Sequence, residues 1–482
     1  MRLRLQVALA LLVCLFGLSS SAYGYSLLTH EQLIDLTWDT SIVPLLLSRY
    51  PTLTPAELEH ARAYAYGGCV IQDIGYYPFG DKNFSNLTHY VRSGDFVVNL
   101  FRNAGNADEL AFAVGALSHY IGDSIGHSLA TNVAVPVEFP KLKKRYGNVV
   151  NYAEGEEQHV RTEFAFDIDE IANHRFAPVA YLRHVGLEVP TRQLALAFYQ
   201  TYGLRDDFTQ TRHERVNVSD YRWAVHSFIP HIAYSTTLLH RRHEPADVAS
   251  DPDVQRLIQE VTAIGQKNHW DDYRKHPGFL TYTLAGVLFI LPKVGPIRFV
   301  SVKGPTSQTE LEYVHSVIRS TDALNHALRR FTPPPATRPT AEQAAAADTN
   351  SLPPPSEPLP ARPGAYKVIS SDPHHPLLNR DLDTGNPVKP AGYPLTDQTY
   401  AYLLHHLTLT PAVPVPEGVR DDILAYYADM SLPFATKKDP AAWDAVQRDL
   451  TTLQTMPVNS WPVPYPTYGD GTNDDVTPAP QQ

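Results

Sequence analysis

The chain has 482 residues, 43% of them hydrophobic and 19% charged, with a formal net charge of −11 at pH 7. An acidic balance of that size is a poor electrostatic footprint for duplex nucleic acid. Only two cysteines are present, at positions 14 and 69.

Residues 1–24 read as a signal peptide. Arg2 and Arg4 form the basic end, Leu5 to Leu18 the apolar centre, and Ser19 to Gly24 the cleavage region, with Ala22 and Gly24 at −3 and −1. Cleavage after Gly24 makes Tyr25 the first mature residue, and the apolar run is short for a membrane span. Val13 before Cys14 is a poor fit to a lipoprotein site. The expected location is therefore secreted, either periplasmic or extracellular. The mature chain keeps Cys69 alone, so no intramolecular disulfide forms, and size or a metal must supply the stability.

From Leu27 to about Arg330 the pattern is mainly helical. His30 lies just after the leader, and Thr54-Pro55-Ala56-Glu57 reads as a capped helix start with Pro at its first position. Asp73 and His89 flank a loop-like aromatic stretch, and Tyr76, Tyr77, Phe79, Phe84 and Tyr90 lie near them in sequence. Those rings suit a choline-like cation, a stacked base or plain packing. Three glycosylation sequons begin at Asn83, Asn86 and Asn217; short sequons arise often by chance.

His119, Asp123 and His127 follow at four-residue spacing. At about 3.6 residues per turn, such positions drift only about 40° per step and share one helix face. Their neighbours are apolar or small, so the face should be buried. Two imidazoles and a carboxylate there need protons, partners or a metal to offset desolvation. A cation is the simplest answer, and imidazole with carboxylate suits zinc without excluding other metals. A helical pattern from about Val149 to Ile171 then carries a second pair at i, i+4, His159 and Glu163. Together these are too many ligands for one tetrahedral ion and enough for a cluster.

Helical periodicity recurs through Gln193–Tyr202, Trp223–His240, Val254–His269 and Leu311–Leu328. Between the last two, Phe279 to Leu291 is a short apolar run suited to a buried helix or hairpin, with a lipid-touching element as the alternative. Residues 331–365 form a Pro/Ala-rich linker, with ten prolines from Pro333 to Pro363. Residues 366–482 show helix candidates at Asp397–Leu407, Gly418–Ala428 and Ala441–Leu453. They form either a small helical domain or an appendage packed on the first. The pairs His374-His375 and His405-His406 lack acidic ligand spacing and read as surface residues.

The order of these candidate ligands resembles the zinc-dependent phospholipase C family, whose all-α fold is shared with single-strand-specific zinc nucleases. The family pattern is a free mature N-terminus followed by His, Asp, His, His-x3-Asp, His and a final His-x3-Glu or Asp. Tyr25, His30, Asp73, His89, His119, Asp123, His127, His159 and Glu163 supply it in order, across about 140 residues. The family commonly begins with Trp; Tyr25 stands there, and backbone ligation does not need the indole. The resemblance implies an all-α domain over residues 25–330 and three zinc ions. Asp73, His89, His119 and Asp123 would hold one, and His127, His159 and Glu163 a second. The backbone of residue 25, with His30 and a shared Asp123, would hold the third. It further implies a phosphodiesterase in which close metals lower the pKa of a water and clamp phosphoryl oxygens, with Asp73 accepting a proton from that water or orienting it.

The expected function is a secreted tri-zinc phospholipase C releasing diacylglycerol and a phosphorylated headgroup. Its expected partners are a phospholipid substrate and a membrane surface, with no protein partner evident. The rivals are a single-strand nuclease on the same fold, a phospholipase D-type cleavage, and a secreted binding protein that keeps zinc for stability.

Overall fold

The computed structural model of the protein describes residues 27–76, 80–205, 246–274, 304–331 and 377–459, with positions 218, 222, 225 and 237. The leader, Tyr25, Tyr77, Phe79, Asn217, Phe279–Leu291, residues 332–376 and His374-His375 within them lie outside the described residues. The fold is all-α. The only strands among the described residues are the two-residue parallel pair Val415–Pro416 and Val458–Asn459. No described helix is long and apolar enough to cross a membrane.

The N-terminal part runs α1 (Leu27–Thr37), α2 (Val43–Arg49), α3 (Pro55–Cys69), α4 (Lys82–Tyr90), α5 (Ser93–Arg102) and α6 (Ala107–Gly126). A π-helical turn, His127–Thr131, joins α6 to α7 (Asn132–Glu138), and α8 (Pro140–Tyr146) and α9 (Glu156–Ala172) follow. Next come α10 (Val179–Val185), α11 (Thr191–Tyr202), α12 (Ala246–Ala249), α13 (Pro252–Lys267), α14 (Trp270–Tyr273) and α15 (Ser307–Phe331).

α6 is the axis. Every residue in it except Asp108 and Glu109 is buried, as expected of a helix apolar all round in the middle of a large core. Its start is fixed by Asn106, whose side chain accepts from Glu109 N, with two acidic residues in the first turn where the helix dipole favours them. α3, α5, α15 and α1 pack around it.

The α3–α6 crossing is closest, and glycine permits it. A Cβ on Gly68 would overlap the Phe112 carbonyl, and one on Gly115 would overlap the carbonyl of Ala65. The approach brings the end of α3 onto the middle of α6. The Cys69 carbonyl thereby reaches His119 Nδ1 at 2.9 Å, and Gln72 Nε2 donates to the Ala116 carbonyl at 3.0 Å.

α1 is buried along its whole length. Asp167 on α9 anchors its start, accepting from Leu28 N at 3.2 Å and Thr29 Oγ1 at 2.9 Å, while Thr29 also meets Tyr313 Oη on α15. Further along α1, Asp35 pairs with the buried Arg62 guanidinium, which also donates to Tyr181 and lies 5.3 Å from the Trp38 ring.

The helix expected from Val149 begins later, at Glu156. Asn151 and Glu154 instead close a capping box around a 3-10 turn, Tyr152–Glu154, and Gly155 separates that turn from α9.

In the C-terminal region come α16 (Pro394–Thr408), α17 (Glu417–Tyr426) and α18 (Pro440–Thr455), with the rings of Tyr400 on α16 and Tyr426 on α17 stacked 3.7 Å apart. Residues 377–393 hold no helix and lie across α4, α5 and α6. Ser93 Oγ donates to the Arg380 carbonyl, Tyr120 Oη to the Leu378 carbonyl, and Leu382 N to the His89 carbonyl. Residues 377–393 thus bond the C-terminal region to α4, α5 and α6.

Gly115→Ala should force α3 and α6 apart and cost about 1–3 kcal/mol. A lowered denaturant midpoint at unchanged slope is the expected outcome; wild-type stability would show slack in the crossing.

Candidate metal centre

Six segments converge on one point inside this core. α1 brings His30, the 3-10 turn Ile71–Tyr76 brings Asp73, and the end of α4 brings His89. α6 brings His119 and Asp123, the π turn opens on His127, and α9 brings His159 and Glu163. None of these eight residues is more than 1% exposed.

They fall into three groups whose ligand atoms approach closely: Asp73, His89 and His119; His127, His159 and Glu163; and His30, His119 and Asp123. In the first, His89 Nε2 lies 3.3 Å from Asp73 Oδ1 and 3.3 Å from Asp123 Oδ2. His119 Nε2 lies 3.1 Å from Asp123 Oδ2 and 3.4 Å from His89 Nε2. A tetrahedral ion with bonds of about 2.0–2.1 Å sets its ligands about 3.3 Å apart, so these four separations match the edges of such a tetrahedron, while His119 Nε2 to Asp73 Oδ1 is longer at 4.0 Å. In the second group, Glu163 Oε1 is 2.7 Å from His159 Nε2 and 3.4 Å from His127 Nε2.

Asp123 faces all three groups. Oδ2 points at His89 and His119, while Oδ1 is 3.2 Å from His30 Nε2 and 3.9 Å from His127 Nε2. The i, i+4, i+8 spacing places this row as the sequence suggests, and the π winding begins at its last member.

The backbone sets the tautomers. His89 Nδ1 lies 2.7 Å from the Ser85 carbonyl and His119 Nδ1 2.9 Å from the Cys69 carbonyl. Each Nδ1 therefore carries the proton in the neutral ring, and two Nε2 lone pairs face each other at 3.4 Å. Lone pairs so placed repel unless something positive lies between them.

The titration behaviour has the same cause. Burial opposes charge on His89, but Asp123 and Asp73 outweigh it and raise its pKa to about 10. Burial, with the neighbouring His127, pushes His159 well below the usual imidazole range. Burial, with the charges of Asp123 and Asp73, pushes Glu163 well above the carboxylate range. Asp123 resists burial because His119 and His127 hold it well below its ordinary value. Among the described residues, Asp73 meets only the imidazoles of His89 and His119, Glu163 only those of His127 and His159, and His159 Nδ1 has no hydrogen-bond partner. Buried groups of this kind fit a set of cations, which would satisfy them at once.

Of the aromatic candidates, Tyr76 is buried with its ring 5.3 Å from His89, and its hydroxyl donates to Asn86 Oδ1. Tyr90, with its ring 5.9 Å from His89, donates to Asp383. Phe84 points elsewhere: its ring stacks on Phe198 and meets Phe96 edge-on, so it packs the core. His405 pairs with Asp449 on the exposed face of α16, away from the centre. A surface group, Asp251, Asp253 and His315, arises where Asp251 caps α13.

Three residues beside the centre carry no local sequence signal. Tyr152 meets His159 edge-on at 5.5 Å. Tyr393 and Asp383 arrive from the C-terminal region, with Asp383 Oδ1 3.6 Å from His127 Nδ1. Arg380-Asp381-Leu382-Asp383 has no periodic pattern that would mark it as part of a site.

Residues 29–206 match the family model described as zinc dependent phospholipase C, bearing out over that stretch the resemblance seen in the ligand order. The matched stretch contains all eight converging side chains and stops well short of Asp383. No curated protein and no solved structure matches the chain.

His119→Ala removes a nitrogen shared by two groups and should lose bound zinc, measured by elemental analysis after dialysis. Full zinc occupancy in that variant would refute the assignment. Stripping metal from the wild type with a chelator should also lower its melting temperature, because the buried carboxylates are then left uncompensated.

Proposed function

We propose that this zinc-dependent phospholipase C domain belongs to an exported phosphodiesterase that cleaves glycerophospholipids to diacylglycerol and a phosphorylated headgroup. The observation that carries the proposal is the convergence of eight buried imidazoles and carboxylates around the shared carboxylate of Asp123. Asp73, His89, His119 and Asp123 would hold one zinc ion and His127, His159 and Glu163 a second. His30 and Asp123, with the backbone of residue 25, would hold a third. When bound, zinc supplies a nucleophilic water at neutral pH and positive charge for the phosphoryl and leaving oxygens.

The chain's own groups do the rest. The carbonyls of Ser85 and Cys69 fix two imidazoles through Nδ1, so that the lone pairs of Nε2 point inward. Asp73, whose carboxylate meets the imidazoles of His89 and His119, would orient a water or accept its proton. The headgroup contact is assigned to Tyr76 and Tyr90, whose rings lie 5.3 Å and 5.9 Å from the His89 ring. The acidic balance of the chain favours a lipid phosphodiester over a polynucleotide, and the natural setting of such a substrate is a membrane surface.

Purified protein assayed side by side on phosphatidylcholine vesicles and single-stranded DNA should release diacylglycerol and phosphocholine. DNA cleavage without lipid cleavage would make it a nuclease, and phosphatidic acid among the products would make it a phospholipase D. Asp73→Asn should keep its fold and lower turnover about 10²–10⁴-fold. N-terminal sequencing of the secreted form should begin at Tyr25; a different start would remove the third ion's backbone ligands.

A further inference from the structure

We infer that Asp383, carried by the segment that follows the linker, is the positioning residue for His127. On this inference its carboxylate holds the Nδ1 edge of the imidazole while Nε2 faces Glu163, Asp123 and a zinc ion. The inference rests on the zinc-centre assignment above and goes beyond it, because Asp383 lies about 180 residues past the family match.

His89, His119 and His127 differ in how Nδ1 is held. His89 and His119 each reach a backbone carbonyl within their own core. His127 reaches none: its Nδ1 has no hydrogen-bond partner, and the acid paired with it is Asp383, at 3.6 Å. That is within about 0.8 Å of a charge-assisted hydrogen bond. A ring that ligates through one nitrogen gains basicity and a fixed orientation when a carboxylate accepts from the other.

Asp383 is itself held. Its second oxygen accepts from Tyr90 Oη at 3.0 Å and Tyr393 Oη at 2.7 Å. Its amide donates to Asp381 Oδ1, and its carbonyl accepts from Asn132 Nδ2 at 2.6 Å. Leu382 N donates to the His89 carbonyl, and Tyr120 Oη binds the Leu378 carbonyl. Three of these attachments fall at or beside a ligand: His89 itself, Tyr90 after it, and Tyr120 after His119. A segment that merely covered a surface would have no reason to take its bonds there or to leave one carboxylate oxygen aimed at an imidazole.

The test uses the full-length protein and graded chelator competition, counting zinc per chain at each step. Asp383→Ala should weaken one zinc ion about 10–100-fold and leave the other two at wild-type affinity. Asp383→Asn, whose amide oxygen still accepts from Nδ1–H, should recover most of that loss. Tyr120→Phe cuts a hook of the same segment without touching the carboxylate and should bind zinc as the wild type does. In cobalt-substituted protein, the visible bands of one ion should shift in Asp383→Asn, a readout that needs no activity and survives if the alanine variant does not fold. Wild-type zinc affinity in Asp383→Ala, an equal loss in Tyr120→Phe, or unshifted cobalt bands would each overturn the inference. A wild-type protein that binds no zinc would instead overturn the assignment beneath it.

Discussion

The structure depends on one buried carboxylate. Asp123 sits in the last turn of α6, fully excluded from solvent, with imidazoles within 3.1–3.9 Å of both its oxygens. A charge in that position must be compensated locally or it destabilises the core. The elements around it are arranged as that compensation: α1, α4, α6 and the π turn each deliver a nitrogen. The glycines at the α3–α6 crossing belong to the same device. Without so close an approach, the Cys69 carbonyl could not set the tautomer of His119.

Much of this was legible in the sequence because helical periodicity and metal chemistry act over short spacings. His119, Asp123 and His127 lie on one face for reasons of helix geometry alone, and His159 with Glu163 repeats the pattern. His30, Asp73 and His89 have no such internal logic; they became readable only as members of an ordered series resembling a known family. Where local capping competes with periodicity, the sequence misleads: the apolar pattern from Val149 runs through a 3-10 turn that Asn151 and Glu154 close. Phe84 and Tyr90 look alike as aromatic neighbours of His89, yet one stacks in the core and the other reaches Asp383. That difference is set by which face of α4 each residue occupies.

Asp383 was illegible for a deeper reason. It stands in a non-helical segment of ordinary composition, and its place beside His127 is decided by tertiary contacts with Tyr90, Asn132 and Tyr393. Local spacing cannot encode a neighbour of that kind. The apparent division into a catalytic domain, a linker and an appendage is therefore a division of sequence more than of physics. The bonds of residues 377–393 to α4, α5 and α6 bring that segment beside the centre.

The reach of those bonds gives the centre a history. Tyr90 and Asp383 are 293 positions apart, and Asn132 and Asp383 are 251 apart. Closing a longer loop adds little entropy, since the cost grows only with the logarithm of its length; the larger effect is on timing. At about 5–20 residues per second, a ribosome adds the final segment on the order of 10–50 s after the stretch bearing the eight side chains. For that interval the chain holds all eight side chains but neither Asp383 nor Tyr393. The neighbours of the centre are therefore drawn from two widely separated stages of synthesis, and the arrangement as it stands exists only once the C-terminal region has been made.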